Sequence, residues 1–205
     1  VKQEESVLAN AVFKTVIAKD GSVIKLVDTT GKMTDKEVDS YLSALKVAYD
    51  RNPVKGGPPS MIIHDQHSLV ETAHAFVVGR KNTNVIHINK YVMDKGINEQ
   101  NRLNDLAGMD YDDGWFGSSY ASSPIKHVVS HEYGHVLDYN SRTVKSSLKS
   151  KVLYAKAKSD ASDLSLYGKT SKEEAYAEAF ADWTTSSGKT SNDTTKNYAN
   201  SYGWK

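Results

Sequence analysis

The pentapeptide His131-Glu132-Tyr133-Gly134-His135 constrains this chain more than any other stretch, because its two imidazoles can act together only on a helix. Positions four apart on an α-helix lie roughly 40° apart around the axis and ~6 Å apart along it, so both rings can converge on one cation. Glu132, offset from His131 by about a quarter turn, then reaches the cation's open position and can take a proton from a water held there. The flanking residues favour that helix. Ile125, Val128, Val129, Tyr133, Val136 and Leu137 trace one apolar stripe, and Ser122, Ser123 and Pro124 are residues that start helices. Histidines at this spacing also occur as partly buried pairs held by polar neighbours, but the mid-helix setting favours zinc.

A catalytic zinc takes three protein ligands and a water, so the chain must supply a third. Composition narrows the choice. The sequence has no cysteine, which removes thiolate ligands, disulfides and thiol nucleophiles together and leaves only nitrogen and oxygen donors. Its 26 basic and 25 acidic residues nearly cancel without a basic run, so nucleic acid is not an expected partner. No apolar run approaches the ~18 residues of a membrane span. The chain opens at Val1 without a basic and then apolar leader, so a soluble, processed form is the expectation; lysine, tyrosine and Ser/Thr/Asn without cysteine suit a bacterial exported protein as well as a cytosolic one, and a monomer is expected. A length of 205 residues suits one compact domain or two small ones sharing an interface; the favoured expectation is one unit, a hairpin and helix over residues 1–55 packed on a catalytic unit spanning 56–205, with Gly56-Gly57-Pro58-Pro59 as the candidate boundary.

Along the chain, residues 6–18 and the alternating Val23 to Val27 flank a Lys19-Asp20-Gly21-Ser22 turn, which predicts a β-hairpin. Thr34 with Glu37 forms a capping box opening a helix that stops before Asn52-Pro53. Met61 to Ile63, Ala75 to Val78 and Val85 to Ile88 read as further strands, the last two joined by a turn over 79–84. His64-Asp65-Gln66-His67 offers a weaker second metal pattern, and His87 reads as a strand side chain. Residues 91–107 read as partly helical. Asp110, Asp112 and Asp113 loosely match a calcium loop but lack the closing bidentate acid, so an ordinary loop is expected, with Trp115, Phe116 and Tyr120 walling a cleft. A helix over roughly 143–159 is expected to pack through Val144, Leu148, Val152, Leu153 and Ala155. The stretch 184–196 reads as a polar surface segment.

Four side chains compete to be the third ligand. Asp138 lies too close to His135 on the same helix unless the helix breaks, and the extended zinc motif that breaks there has Gly in place of Asp138 and His in place of Ser141. His127 would put three imidazoles in a row over roughly 12 Å of straight helix, too far for one ion. Glu174 and Glu178 stand on a second helix-forming segment, Ser171 to Trp183. Glu174 is free for an ion if Thr170 and Glu173 provide the cap, and is engaged if Ser171 and Glu174 do; Glu178 is either a surface carboxylate or a partner for the outer nitrogen of a ligating imidazole. Spacing alone does not choose between them.

The pentapeptide together with Tyr167-Gly168-Lys169-Thr170-Ser171-Lys172-Glu173-Glu174-Ala175-Tyr176-Ala177-Glu178-Ala179-Phe180 resembles the metallopeptidase domain of the anthrax toxin lethal factor family, which includes the secreted clostridial Pro-Pro endopeptidases. The likeness spans roughly residues 60–185 by order of elements and is specific in these two segments. It implies one zinc ion per chain held by His131, His135 and Glu174, Glu132 as general base, Tyr167 as oxyanion donor and Glu178 as a carboxylate behind a ligating imidazole. The fold implied is α+β and zincin-like, a small mixed sheet over an active-site helix with a mainly helical C-terminal half. The implied activity is a secreted zinc endopeptidase of gluzincin type acting on an extended peptide or protein, with Pro-Pro bonds as one specificity and Val85 to Asn89 as the strand that pairs with substrate. The chain is too short for the toxin's receptor-binding and substrate-recognition domains. A silent zinc-binding module and a cell-wall amidase using the same ligands are the competing expectations.

Overall fold

The computed structural model describes residues 11–65, 73–78, 84–105, 123–141, 143–159, 165–190 and 192–205. In chain order the elements are β1 (Val12–Ile17), β2 (Val23–Asp28), α1 (Asp35–Arg51), β3 (Ser60–His64), β4 (Ala75–Val77), β5 (Val85–Asn89), α2 (Lys90–Asp105), α3 (Pro124–Ser141), α4 (Val144–Ser159), α5 (Lys172–Thr185) and α6 (Asp193–Tyr202). The class is α+β, with a small mixed sheet preceding a helical C-terminal half.

The strands lie in the order β1-β2-β3-β5-β4. β1 and β2 form the expected hairpin, with Val16 opposite Ile24. β2, β3 and β5 run parallel, and β4 closes the sheet antiparallel to β5 with Phe76 opposite His87. Alternate residues Ile24, Leu26, Met61, Ile63, Ile86 and Ile88 are fully buried, which marks the helix-covered face. Against it pack Val38, Tyr41, Leu42, Leu45 and Tyr49 of α1, Val128, Val129, Tyr133 and Val136 of α3, and Phe180 of α5. One sheet and one core therefore cross the Gly56-Gly57-Pro58-Pro59 loop.

Helix α1 begins where its box predicts: the Thr34 side chain accepts from Glu37 N while the Glu37 carboxylate accepts from Thr34 N at 2.7 Å. Its C-terminal turn is tied to the hairpin, since Lys19 N donates to Asp50 Oδ1 at 2.7 Å and Lys46 pairs with the other oxygen. Burial disfavours the charged Asp50, but the Lys19 amide and the Lys46 ammonium outweigh it and hold the carboxyl below its ordinary range.

Three expectations need correction. Strand β5 is flanked by β3 and β4, so Val85 to Asn89 is not a free edge; among the described residues β4 takes that place, because strand order depends on pairing across the chain. Helix α4 turns the opposite way: Leu148 and Val152 are 59% and 70% exposed and Ala155 is exposed, while Ser150 and Ala157 are buried and Leu153 and Tyr154 partly so. The 150, 153, 154, 157 stripe has small residues at both ends, which lets the helix sit close to Tyr176 and Tyr198. Finally, residues 193–196 are the first turn of α6. Asn192 caps it through Thr195 N, Thr194 and Thr195 are buried, and Tyr198, Tyr202 and Trp204 cluster with Tyr176. No helix among the described residues is long and apolar enough to cross a membrane.

Candidate metal centre

Helix α3 lies between the sheet and α5 and is buried on nearly all sides from His127 to Val136. Pro124 fixes its first turn, where His127 N donates to Ser123 O at 2.9 Å. A helix so placed would ordinarily be apolar all round, yet His127, His131, Glu132, His135 and Asp138 are each at most 7% exposed. Burying such groups is costly without partners. Helix α5 supplies them.

Ser171 is the N-cap of α5: its hydroxyl accepts from Glu174 N at 3.1 Å. The Glu174 carboxylate does not complete a box by turning back to Ser171. It reaches across, with Oε2 at 3.0 Å from His131 Nε2 and 3.3 Å from His135 Nε2, and the two imidazole nitrogens stand 3.1 Å apart. The cap at Ser171 and a carboxylate free for the histidines are therefore compatible, and the Thr170 cap is not used.

Glu178, one turn further along α5, meets the back of the same ring. Its Oε1 lies 2.8 Å from His131 Nδ1 and 3.0 Å from His127 Nε2, and its Oε2 accepts from the Ser165 hydroxyl at 2.7 Å. His131 is thus held at both nitrogens. Burial alone would lower its pKa, but the bonds to Glu174 and Glu178 prevail and push it up to about 10. Burial works against ionised Glu174 and Glu178 too, and in both the histidine contacts win and hold the carboxyl well below the usual range. Glu132 goes the other way: burial raises its carboxyl against the pull of His135 and His131.

Tyr167 stands on the turn before α5, its ring 5.6 Å from that of His131 and tilted by 31°. Burial first, then the charges of Glu174 and Glu132 and a hydrogen bond with Glu174, raise the phenol, so the hydroxyl stays protonated and able to donate. The turn is closed by Gly168 N donating to Ser165 Oγ at 3.0 Å and by Tyr154 donating to Lys169 O at 2.7 Å.

Two overlapping groups among the described residues are close enough to hold a metal ion: His131, His135 and Glu174, and His127, His131 and Glu178. The first has separations compatible with a tetrahedral ion. Two ligand atoms ~2.05 Å from a common tetrahedral centre lie about 3.3 Å apart, and here the separations are 3.0, 3.1 and 3.3 Å. The first group also includes the more open side chain, Glu174 at 22%, whereas Glu178 and His127 are 3% and 2% exposed. An ion in the first group would be the less enclosed of the two.

All six residues singled out from the sequence therefore lie in one region, Glu132 by its neighbours on α3 and the rest by direct contact or ring packing. His127, expected to be too distant to share an ion with both other imidazoles, is absent from the His131–His135–Glu174 group but forms the second group with His131 and Glu178; Ser165 is not among the residues singled out from the sequence. The signal for His127 was its one-turn spacing from His131 on a helix with a second, carboxylate-bearing partner. Asp138 is buried further along α3, and the phenols of Tyr176, Tyr198 and Tyr202 are raised first by burial, with Asp138 a smaller contributor. At the other weighed pattern, His64 Nε2 sits 3.0 Å from His87 Nδ1 and Asp65 pairs with Lys32, while Gln66 and His67 lie outside the described residues. So do Asp110, Asp112, Asp113, Trp115, Phe116 and Tyr120.

Comparison of the chain with protein-family models, with curated proteins and with solved structures returned no match.

Proposed function

We propose that the chain is a zincin-like, zinc-dependent endopeptidase that acts outside the cell on extended peptide segments. The observation that carries this reading is the meeting of His131 and His135 on α3 with Glu174 on α5 at spacings suited to one tetrahedral ion. Zinc bound there would supply Lewis-acid polarisation of a peptide carbonyl and a nucleophile at neutral pH.

The chain's own residues fit the remaining roles. Glu132 fits the role of proton acceptor, since burial raises its affinity for a proton above that of an exposed carboxylate. It receives the proton from the attacking water and passes it to the departing amine. Tyr167, kept protonated beside Glu174, donates to the oxygen on which negative charge grows. Among the described residues strand β4 ends the sheet beside α3, so an extended peptide adding to it through main-chain hydrogen bonds would lie alongside the metal-bearing helix. A purely structural zinc would be closed by a fourth protein ligand, and the base and phenol would then have no task.

The test is a peptide-library digest by the zinc-loaded chain that includes Pro-Pro sequences, the specificity the family likeness implies. Cleavage by the native chain, with none by Glu132→Gln at equal zinc content, supports the reading. Intact peptides from a fully zinc-loaded native chain, or undiminished cleavage by Glu132→Gln, would overturn it.

A further inference from the structure

We propose that His127 and Ser165 are positioning residues for the metal centre, both acting through Glu178; the inference rests on the His131–His135–Glu174 reading above. Glu178 carries one carboxylate into a site where its side chain is 3% exposed, and three donors, two from α3 and one from the turn before α5, converge on it. His131 Nδ1 at 2.8 Å and His127 Nε2 at 3.0 Å share Oε1, while the Ser165 hydroxyl takes Oε2 at 2.7 Å.

A neutral imidazole has one N–H and one lone pair. When an ion replaces the Nε2 proton, the N–H that remains at Nδ1 would donate to Glu178, and the lone pair would stand at Nε2, on the side of His135 and Glu174. The opposite tautomer would set a lone pair against the carboxylate oxygen and leave no ligand at Nε2. Glu178 therefore selects the ligating face of His131. This also decides between the two groups able to hold an ion, because they share His131 and one neutral ring cannot ligate through both nitrogens. His127 fills the remaining approach to Oε1 with a donor of its own, so that the carboxylate stays aligned on His131 instead of becoming a metal ligand.

Ser165 links this arrangement to the phenol. Its hydroxyl donates to Glu178 and accepts from Gly168 N at 3.0 Å, closing the turn on which Tyr167 stands. The same carboxylate that orients the metal ligand thus fixes the place of the oxyanion donor.

Zinc affinity by chelator competition and the ¹⁵N pattern of the His131 ring in the zinc-loaded protein test the first half. His127→Leu should weaken zinc by about 10- to 100-fold and disturb the His131 pattern, while His127→Gln, which keeps an N–H for Glu178, should restore most of both. For the second half, Ser165→Ala should lose nuclear Overhauser contacts between the Tyr167 and His131 rings and lower kcat with KM kept, and Ser165→Thr should retain them. Native zinc affinity and tautomer in His127→Leu would overturn the role of His127. Unchanged ring contacts in Ser165→Ala would overturn that of Ser165. Failure of the unaltered chain to bind zinc would instead overturn the metal reading beneath both.

Discussion

A Cβ placed on Gly134 would lie 2.9 Å from the Cα of Ala177, so α3 and α5 cross backbone against backbone in the middle of the histidine motif. That contact sets the distance over which Glu174 and Glu178 reach the rings of His131 and His135. A glycine inside a helix costs about 1 kcal/mol relative to alanine. Here it allows an approach no other residue permits.

Gly134→Ala should accordingly destabilise the fold despite its better helix propensity. Backbone lies in the path, with Phe180 Cβ also at 3.3 Å, so the helices must move apart. Overpacking of this kind costs roughly 1–3 kcal/mol. Urea unfolding should show that loss, and zinc affinity should fall with it. An unchanged midpoint with undiminished affinity would mean the crossing is not constrained at this point.

Tyr167→Phe should keep zinc and substrate binding while slowing turnover. If its hydroxyl is a main donor to the oxyanion, the loss in the chemical step is roughly 2–4 kcal/mol. Steady-state kinetics on a cleaved peptide measure it directly. A normal kcat would return Tyr167 to a packing role beside His131.

Asp50 gives a pH-dependent contribution far from the metal centre. Its folded-state pKa is depressed, so it stabilises the fold above the ordinary carboxylate pKa, and that stability is lost as the pH falls through the ordinary value toward the lower folded one. Asp50→Asn should cost about 1.5–3 kcal/mol at neutral pH, as expected for hydrogen bonds to a charged group. The gap from the native chain should narrow as pH falls from roughly 5 to 3. Urea midpoints measured across that range would show the convergence, whereas a gap constant with pH would rule out the charge as its source.

What the sequence revealed of this site is what depends on local period. The His131–His135 spacing, the apolar stripe of α3 and the Thr34–Glu37 box are properties of single helices and could be read from residues a few positions apart. The choice between Glu174 and Glu178 could not, because it depends on where α5 begins and how closely it crosses α3. The Ser171 cap and the Gly134–Ala177 approach bring both carboxylates to His131, one at each ring nitrogen. Gly134 was itself a readable signal, being a costly residue in mid-helix. His127 was weighed only by its reach to one ion, whereas its partner is a carboxylate on another helix. The exposed faces of α4 and the interior place of β5 likewise follow from neighbours distant in sequence.

Zinc stoichiometry at saturating, buffered zinc, compared for the native chain, His135→Ala and His127→Leu, tests the central claim most directly. Two imidazoles from α3 and the Glu174 carboxylate from α5 holding one ion predict one zinc for the native chain, none for His135→Ala and one, more weakly held, for His127→Leu. A His135→Ala protein that keeps its zinc while His127→Leu loses it would place the ion in the other group and contradict the account.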